Sequence, residues 1–276
     1  MTMLNRLATS YFALVLGLFA FSVAAHAQAP AKEAPKDVRS KLFKQVLADF
    51  GELRECITRE EGGVRAAEEG TTVEEVDLNR DGIPEYQVGL SSPCACGMVN
   101  CSIYIYRQSR SGYELILDGT AGLGLEVLKT SSNGYADVLI EARDNAATRS
   151  ETTYKFDGKQ YREGSTRLVN PQTGENKPAS RRVQFKRGAS SATLEGTVTI
   201  SLPDTYVVGA RAGQVMTVQL TSPRKSVNFL VSSPVSTSLI ADNTRSWTGP
   251  LPETGDYTII VQADARATYT MTITIK

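Results

Sequence analysis

Histidine is almost absent from the chain. The only one among the 276 residues, His26, lies in an N-terminal stretch typical of a secretory signal peptide. This stretch has a short basic start, an apolar run over residues 7–23 and a small-x-small site at residues 25–27. We expect cleavage after Ala27 and a periplasmic or secreted protein, with a retained membrane anchor as the alternative. Cleavage there removes His26, so the mature chain has no histidine. Ser-His-Asp and Cys-His catalysis are therefore excluded, and a catalytic zinc site is disfavoured.

Long apolar runs and an excess of one charge sign are also lacking. Nothing after residue 27 is apolar for long enough to span a bilayer. The 30 basic and 30 acidic residues balance, which leaves no electrostatic footprint for nucleic acid. The charge is unevenly divided, however, because residues 28–180 carry a net charge of −5 and residues 181–276 one of +4. We therefore predict a disordered leader (28–36), a first domain (37–163), a linker rich in Gly, Pro, Asn and Ser (164–180) and a second domain (181–276).

Cysteine is confined to the first predicted domain, at Cys56, Cys94, Cys96 and Cys101. An even number in an exported chain favours disulfides, and four cysteines allow three pairings. One arrangement closes the loop between Cys96 and Cys101 and ties Cys94 to Cys56. Binding of a soft metal is the alternative, whereas a redox-active Cys-x-x-Cys pair is absent from the sequence.

The first domain is predicted to contain one helix followed by short strands. Apolar residues recur at helical spacing over residues 37–50, after Asp37 as a predicted N-cap. Short alternating segments separated by Gly, Asn and Ser predict strands over 101–107, 112–119, 124–130, 134–142 and 152–163. The last segment has Asp157-Gly158 at its centre, a pair typical of a hairpin tip.

The segment 77–86, DLNRDGIPEY, places oxygen donors at alternating positions of a tight loop. The donors are the side chains of Asp77, Asn79, Asp81 and Glu85 and the carbonyl of Ile83. The segment resembles the calcium loop of FG-GAP (integrin-type) repeats, although it is a single copy with Glu at the ninth position. The resemblance implies a Ca²⁺ site, because Ca²⁺ prefers six to eight oxygen ligands. A turn held by Asx hydrogen bonds without metal is the alternative.

The second domain consists almost entirely of alternating segments and turns. Near its end, Tyr269, Met271, Ile273 and Ile275 alternate with four threonines, which predicts one buried and one solvated strand face. Seven or eight such strands in this length are typical of an antiparallel β-sandwich or jelly roll. The expected fold class is therefore mainly β: a helix and small β domain, followed by a β-sandwich.

Residues 251–255, LPETG, match a sortase signal in their letters alone. The following residues are charged and alternate with period two, so they lack the apolar segment and basic tail that sortase anchoring needs. We predict a turn in which Pro252 fixes φ and Gly255 accepts a positive φ. A strand then follows, with Tyr257, Ile259 and Val261 on one face.

The order of the segments 183–198, 204–220, 228–231, 251–261 and 269–276 resembles the periplasmic g-type lysozyme inhibitors and the related pre-peptidase C-terminal-like β-sandwiches. The resemblance spans residues 181–276 and none of 28–180. It implies that a Ser-Gly-x-Tyr-type turn enters the lysozyme cleft. The matching residues here are Thr254, Gly255, Asp256 and Tyr257, with Thr in place of Ser.

We therefore expect an exported, non-catalytic inhibitor of lysozyme. Arg245, Trp247 and Arg266 are further candidates for partner contacts, because exposed Trp and Arg are favoured interface anchors. Core packing is the alternative for Trp247 and for Tyr257. Two other functions stay open: a calcium-binding envelope module for structural, carbohydrate or protein adhesion, and a glycosidase-like enzyme that uses only carboxylates.

Overall fold

The computed structural model describes residues 32–235 and 238–276. The predicted signal peptide and residues 28–31 of the predicted leader lie outside the described residues. The rest of the leader is not disordered, because Lys32–Glu33 form a short strand, β1, antiparallel to β2 (Thr71–Val76). Ala34, which follows β1, is buried in the core of the first domain.

Among the described residues, which start at Lys32, three helices precede β2, whereas the sequence pattern predicted one. They are α1 (Lys36–Asp49), α2 (Gly51–Arg59) and α3 (Gly63–Glu69). The predicted helix corresponds to α1, but Pro35 holds the N-cap position and Asp37 lies in the first turn. Helices α2 and α3 each fully bury a single residue, Ile57 and Ala67 respectively. Their seven to nine residues span at most about two turns, too few to show a sustained apolar period.

Two antiparallel sheets complete the first domain. The first sheet runs in the order β1-β2-β3-β4-β5, with β3 at Glu85–Leu90, β4 at Cys101–Ser109 and β5 at Gly112–Gly122. The second sheet runs in the order β10 (Asn176–Pro178), β9 (Tyr161–Val169), β8 (Arg149–Phe156), β7 (Tyr135–Arg143) and β6 (Gly124–Ser132). One face of the first sheet packs on the helices, and its other face packs on the second sheet. Alternation in the sequence predicted β4 and β5, each of which has a buried face, whereas β1 and β2 were not predicted.

The strands of the second sheet extend into the predicted linker. They are β6 (Gly124–Ser132), β7 (Tyr135–Arg143), β8 (Arg149–Phe156), β9 (Tyr161–Val169) and β10 (Asn176–Pro178). Residues 164–169 belong to β9, and β10 pairs antiparallel with β9. The prediction of an irregular linker over 164–180 is therefore wrong for residues 164–169 and 176–178. Their side chains are mostly polar and exposed, so the sequence shows no apolar alternation there.

The second domain is a sandwich of two sheets around one apolar core. Its strands are β11 (Arg181–Arg182), β12 (Ser191–Val198), β13 (Asp204–Ala210), β14 (Val215–Thr221), β15 (Asn228–Ser232), β16 (Leu239–Thr244), β17 (Ser246–Pro250), β18 (Gly255–Gln262) and β19 (Ala267–Ile275). The sheet orders are β11-β13-β18-β15-β16 and β12-β19-β14-β17. The predicted alternation is confirmed, because Tyr269, Met271, Ile273 and Ile275 are buried and the threonines between them lie on the outer face.

The two ends of the sandwich differ in what they contact. The loops 211–214, 233–235 and 251–254 lie together at one end, which we call the turn end. The loops 199–203 and 263–266 lie at the opposite end, which contacts the first domain and which we call the junction end. There, Thr148 Oγ1 donates to the Ser201 carbonyl, and Asn170 Nδ2 donates to Ser201 Oγ over 2.9 Å.

Both disulfides match the pairing suggested by the sequence. Cys56 is bonded to Cys94, which ties α2 to the loop before β4, and Cys96 is bonded to Cys101. Glu60 lies beside the first pair, but the two sulfurs are joined to each other, so soft-metal binding by these thiols is not supported. Within residues 32–235 and 238–276, no helix has the length and apolar character needed to cross a membrane.

Candidate functional site

The turn before β18, residues 252–256, lies at the turn end and is braced by its neighbours. On the side of the loop 211–214, Leu251 N donates to the Gln214 carbonyl over 2.8 Å, and Thr254 Oγ1 accepts from Ala212 N over 3.0 Å. On the other side, Glu253 Oε2 accepts from Val235 N over 3.2 Å. These bonds fix the backbone of the turn while the Thr254 side chain remains at the surface.

Gly255 fits only because it lacks a side chain. Its φ is 155°, and an added Cβ would come within 2.8 Å of Cβ of Pro234. The predicted positive φ is confirmed. Because Pro234 packs against this glycine, the loop 233–235 holds the start of β18 in place.

Tyr257 does not face a partner. Its side chain is fully buried in the sandwich core, together with Ile259 and Val261 on the same strand face. Its hydroxyl donates to the Glu253 carbonyl over 2.8 Å and accepts from Glu253 N over 3.0 Å. The predicted contact role of Tyr257 is therefore wrong, because the period of two of β18 places it inward. Its role in the structure is to hold the turn from below.

Asp256 is exposed and paired. The Arg182 guanidinium donates to both carboxylate oxygens, with 3.0 Å between Nη1 and Oδ1. This bond from Arg182 holds the pKa of Asp256 below its ordinary value. Arg182 reaches across Gly209, which lies opposite Asp256 in the pairing of β13 and β18. Composition gave no sign of this partner; only the register of β11, β13 and β18 brings the two residues together.

The three other predicted contact residues do not lie beside the turn. Arg245 and Arg266 both lie near the junction end, about 25 Å away by the length of β18. Arg245 donates to the Ser222 carbonyl over 3.0 Å, and Arg266 pairs with Glu175. Trp247 packs on the edge of the core over Gly249, whose added Cβ would meet its ring at 2.6 Å. Trp247 is therefore mainly a packing residue, which was the alternative to a partner contact that the sequence left open.

The predicted calcium loop folds as a tight turn between β2 and β3. Asp77 Oδ1 accepts from Arg80 N over 2.7 Å, and Asp81 Oδ1 accepts from Ile83 N over 2.7 Å. The Asn79 amide donates to Asp81 Oδ2 over 2.9 Å and to Glu85 Oε1 over 3.3 Å. Asx bonds of the kind expected without metal are thus present, and Asn79 Nδ2 lies between two carboxylates.

Glu85 is the buried member of this loop. Burial raises the pKa of its carboxyl group, and the charges of Asp81 and Asp77 raise it further, while a bond from Leu78 N opposes the shift. The Leu78 N–H lies 2.8 Å from Glu85 Oε2. The residue types suit Ca²⁺, but the carboxylate oxygens of Asp77, Asp81 and Glu85 do not all lie within 4.8 Å of one another, so they would have to draw together to hold an ion.

The second domain is thus a β-sandwich with a braced, solvent-exposed turn, and comparison with known proteins gives similar structures. A periplasmic inhibitor of g-type lysozyme from Aeromonas hydrophila is 30% identical, and the match covers 35% of this chain and 96% of that chain at a TM-score of 0.33. The Salmonella Typhimurium inhibitor of the same kind is 23% identical, with 35% and 97% covered and a TM-score of 0.30. A pre-peptidase C-terminal domain of a Bacillus anthracis collagenase is 12% identical, with 35% and 94% covered and a TM-score of 0.27.

The match extends over nearly the whole length of the Aeromonas inhibitor, so this chain resembles the periplasmic inhibitors of g-type lysozyme. The matched share, 35% of this chain, is about the length of residues 181–276. No family model matches the chain, and no curated protein matches it.

Proposed function

We propose that this chain is a non-catalytic inhibitor of g-type lysozyme and that the turn 252–256 enters the enzyme's cleft. The observation that carries the proposal is the braced and exposed turn at the end of the sandwich opposite the first domain. A turn that is ordered before binding loses little conformational entropy when it docks. The family relatives, which are named as inhibitors of g-type lysozyme, support the same role.

The proposed contact surface contains fewer residues of the turn than the sequence predicted. Pro252, Thr254 and Asp256 are exposed at the turn, whereas Tyr257 lies beneath it. Hydroxyl and backbone groups of such a tip can hydrogen-bond the carboxylates that line a glycosidase cleft. Arg182 is an added candidate contact, because it holds Asp256 and is itself exposed.

The test is inhibition of g-type lysozyme by the full chain and by matched charge reversals. We expect Asp256→Lys to weaken inhibition at least about tenfold, because it breaks the pair with Arg182 and alters the docking surface. Asp264→Lys is the control, since Asp264 is an exposed aspartate in the turn at the junction end. Equal inhibition by both variants would place the contact elsewhere on the molecule.

We propose that the signal peptide at residues 1–27 directs export and that the protein acts after export. This location suits an inhibitor of an enzyme that attacks the cell wall from outside. N-terminal sequencing of the exported protein should start at Gln28, and a retained N-terminus would contradict cleavage at this site.

A second proposal is that the loop 77–85 binds Ca²⁺. The protein would then act as a calcium-binding envelope module. The buried Glu85 favours it, because its carboxylate lies near two others and a cation would relieve their repulsion. In the bound form, Asn79 would turn its amide oxygen inward, since Nδ2 now lies where a cation would sit.

Calorimetry with calcium tests this second proposal. We expect saturable binding that Glu85→Gln abolishes and that Glu69→Gln, on the exposed face of α3, leaves unchanged. Binding should weaken as the pH falls towards the pKa of Glu85, which lies above 4.5, because protonation competes with the cation. An absence of calcium binding at neutral pH would leave the loop as an Asx turn.

A further inference from the structure

A cavity of about 400 Å³ lies between the segment 174–181 and the junction end of the sandwich. Glu175 and Lys177, just before and within β10, form one wall, and Thr197, Asp204 and Arg266 of the sandwich form the other. Ligand sites occur preferentially at such boundaries between two packed parts of a protein. The proposed lysozyme surface lies at the opposite end of the sandwich, so this cavity is separate from it.

Asp204 is the buried centre of the cavity wall, with only 4% of its surface exposed. Its Oδ1 accepts from Lys177 Nζ over 2.9 Å and from Arg181 Nη2 over 3.1 Å. Its Oδ2 accepts from the Tyr269 hydroxyl over 2.5 Å. One carboxylate thus serves two cations, and this arrangement leaves one positive charge in excess beside the cavity.

The sequence makes room for this cluster at Gly196. An added Cβ at this position would collide with the Asp204 carboxylate and the Tyr269 hydroxyl. Arg181 is fixed further by the Tyr206 hydroxyl, 2.7 Å from its Nη2, and its guanidinium lies 4.7 Å from the centre of the Tyr206 ring. The excess charge is therefore held in a defined position.

The third cation, Arg266, is held only loosely. It pairs with Glu175, and the two side chains are 65% and 39% exposed. Exposed ion pairs of this kind contribute little to stability, so the pair can open without harm to the fold. Counting all five charged groups, the cavity lining has three cations and two carboxylates.

We propose that this cavity binds a small anion, and that Arg266 turns from Glu175 to hold it. The ligand class is a compound with a carboxylate or phosphate group, because the guanidinium fork pairs with both in a bidentate manner. Arg181 contributes its remaining donors, and Lys177 contributes the long-range charge. A bound anion would bridge the segment 174–181 to the sandwich and so tighten the contact between the two domains.

Backbone amide NMR of the full chain, titrated at constant ionic strength with sodium acetate and separately with sodium phosphate, tests the proposal. Saturable shifts confined to the amides around Glu175, Gly196 and Thr197 are expected. Saturation by acetate alone identifies a carboxylate ligand, by phosphate alone a phosphate ligand, and by both a site for either group. Non-saturable shifts with both salts, or shifts centred elsewhere, would overturn the proposal.

Two variants with opposite expected effects separate binding from a merely structural role. Arg266→Gln should weaken the anion about tenfold, the size expected for one lost charge-assisted hydrogen bond. Glu175→Gln should strengthen it about fivefold, since Arg266 is then freed from its competitor. Arg65→Gln, which alters an exposed Arg–Glu pair on α3, is the matched control and should change nothing. Equal affinities in all four proteins would contradict the proposed site.

Discussion

At the scale of single residues, Tyr257 shows how a strand's own periodicity decides a side chain's role. The pattern of β18 placed Tyr257 on the same face as Ile259 and Val261, and all three are buried. The resemblance to a Ser-Gly-x-Tyr turn pointed the other way, to a partner contact. The period of two prevailed, because turning Tyr257 outward would also turn its apolar neighbours into solvent.

Substitution of Tyr257 should therefore affect stability before it affects binding. Tyr257→Phe removes the two hydrogen bonds to Glu253 and should lower the free energy of unfolding by about 1–2 kcal/mol. Tyr257→Ala should cost about 3–5 kcal/mol, because it leaves a cavity in the core. Chemical denaturation measures both values. A Tyr257→Ala protein as stable as the wild type would show that the ring is not buried.

At the scale of elements, alternation in the sequence predicted the long strands but not the shortest strands. The threonine face of β19 and the helix α1 followed directly from their spacing. The strands β10 and β11 span only Asn176–Pro178 and Arg181–Arg182, too few residues to show a period. Their pairing depends on tertiary partners, β9 and β13, which no local pattern reveals.

The hairpin of β8 and β9 offers a prediction at this scale. The sequence placed its tip at Asp157-Gly158, and the Asp157 carboxylate accepts from Lys159 N over 2.8 Å and from Gln160 N over 2.9 Å. These bonds, with help from Arg162, lower the pKa of Asp157 to about 2.

The low pKa of Asp157 fixes the pH range in which the carboxylate supports the hairpin. A depressed pKa means that its support is present above the ordinary value of 3.8 and is lost as the pH falls through about 2. An NMR titration of the side-chain carboxyl carbon measures this directly. A midpoint near 3.8 would mean that the carboxylate does not hold the turn in solution.

At the scale of the whole molecule, the first domain and the sandwich are joined by buried polar contacts. Residues 32–276 form one compact unit, and the contacts at Ser201 and Asp204 tie β9 and β10 to the junction end. The sequence predicted a charge difference and a boundary near residue 180, but not this junction. Its residues are far apart in the chain, with a separation of 27 positions from Lys177 to Asp204, so only the fold brings them together.

Lys177→Met tests whether this junction couples the two domains. The ion pair with Asp204 is largely buried, and its loss should lower the free energy of unfolding by about 1.5–3 kcal/mol, because Asp204 loses one charge-assisted hydrogen bond but keeps Arg181. Lys41→Met, in the exposed pair with Asp37, should change it by less than about 1 kcal/mol. Calorimetry measures both. Equal unfolding temperatures for the two variants would show that the Lys177–Asp204 pair contributes no more than a surface contact.

Presentation of the turn 252–256 to an enzyme is the central claim about the whole molecule, and one titration tests it most directly. Turnover of g-type lysozyme is measured on cell-wall substrate while the full chain is added from below to above equimolar amounts. We expect turnover to fall in proportion to the added chain and to be lost completely near one inhibitor per enzyme. Undiminished turnover at a large excess of the chain would contradict the proposed function.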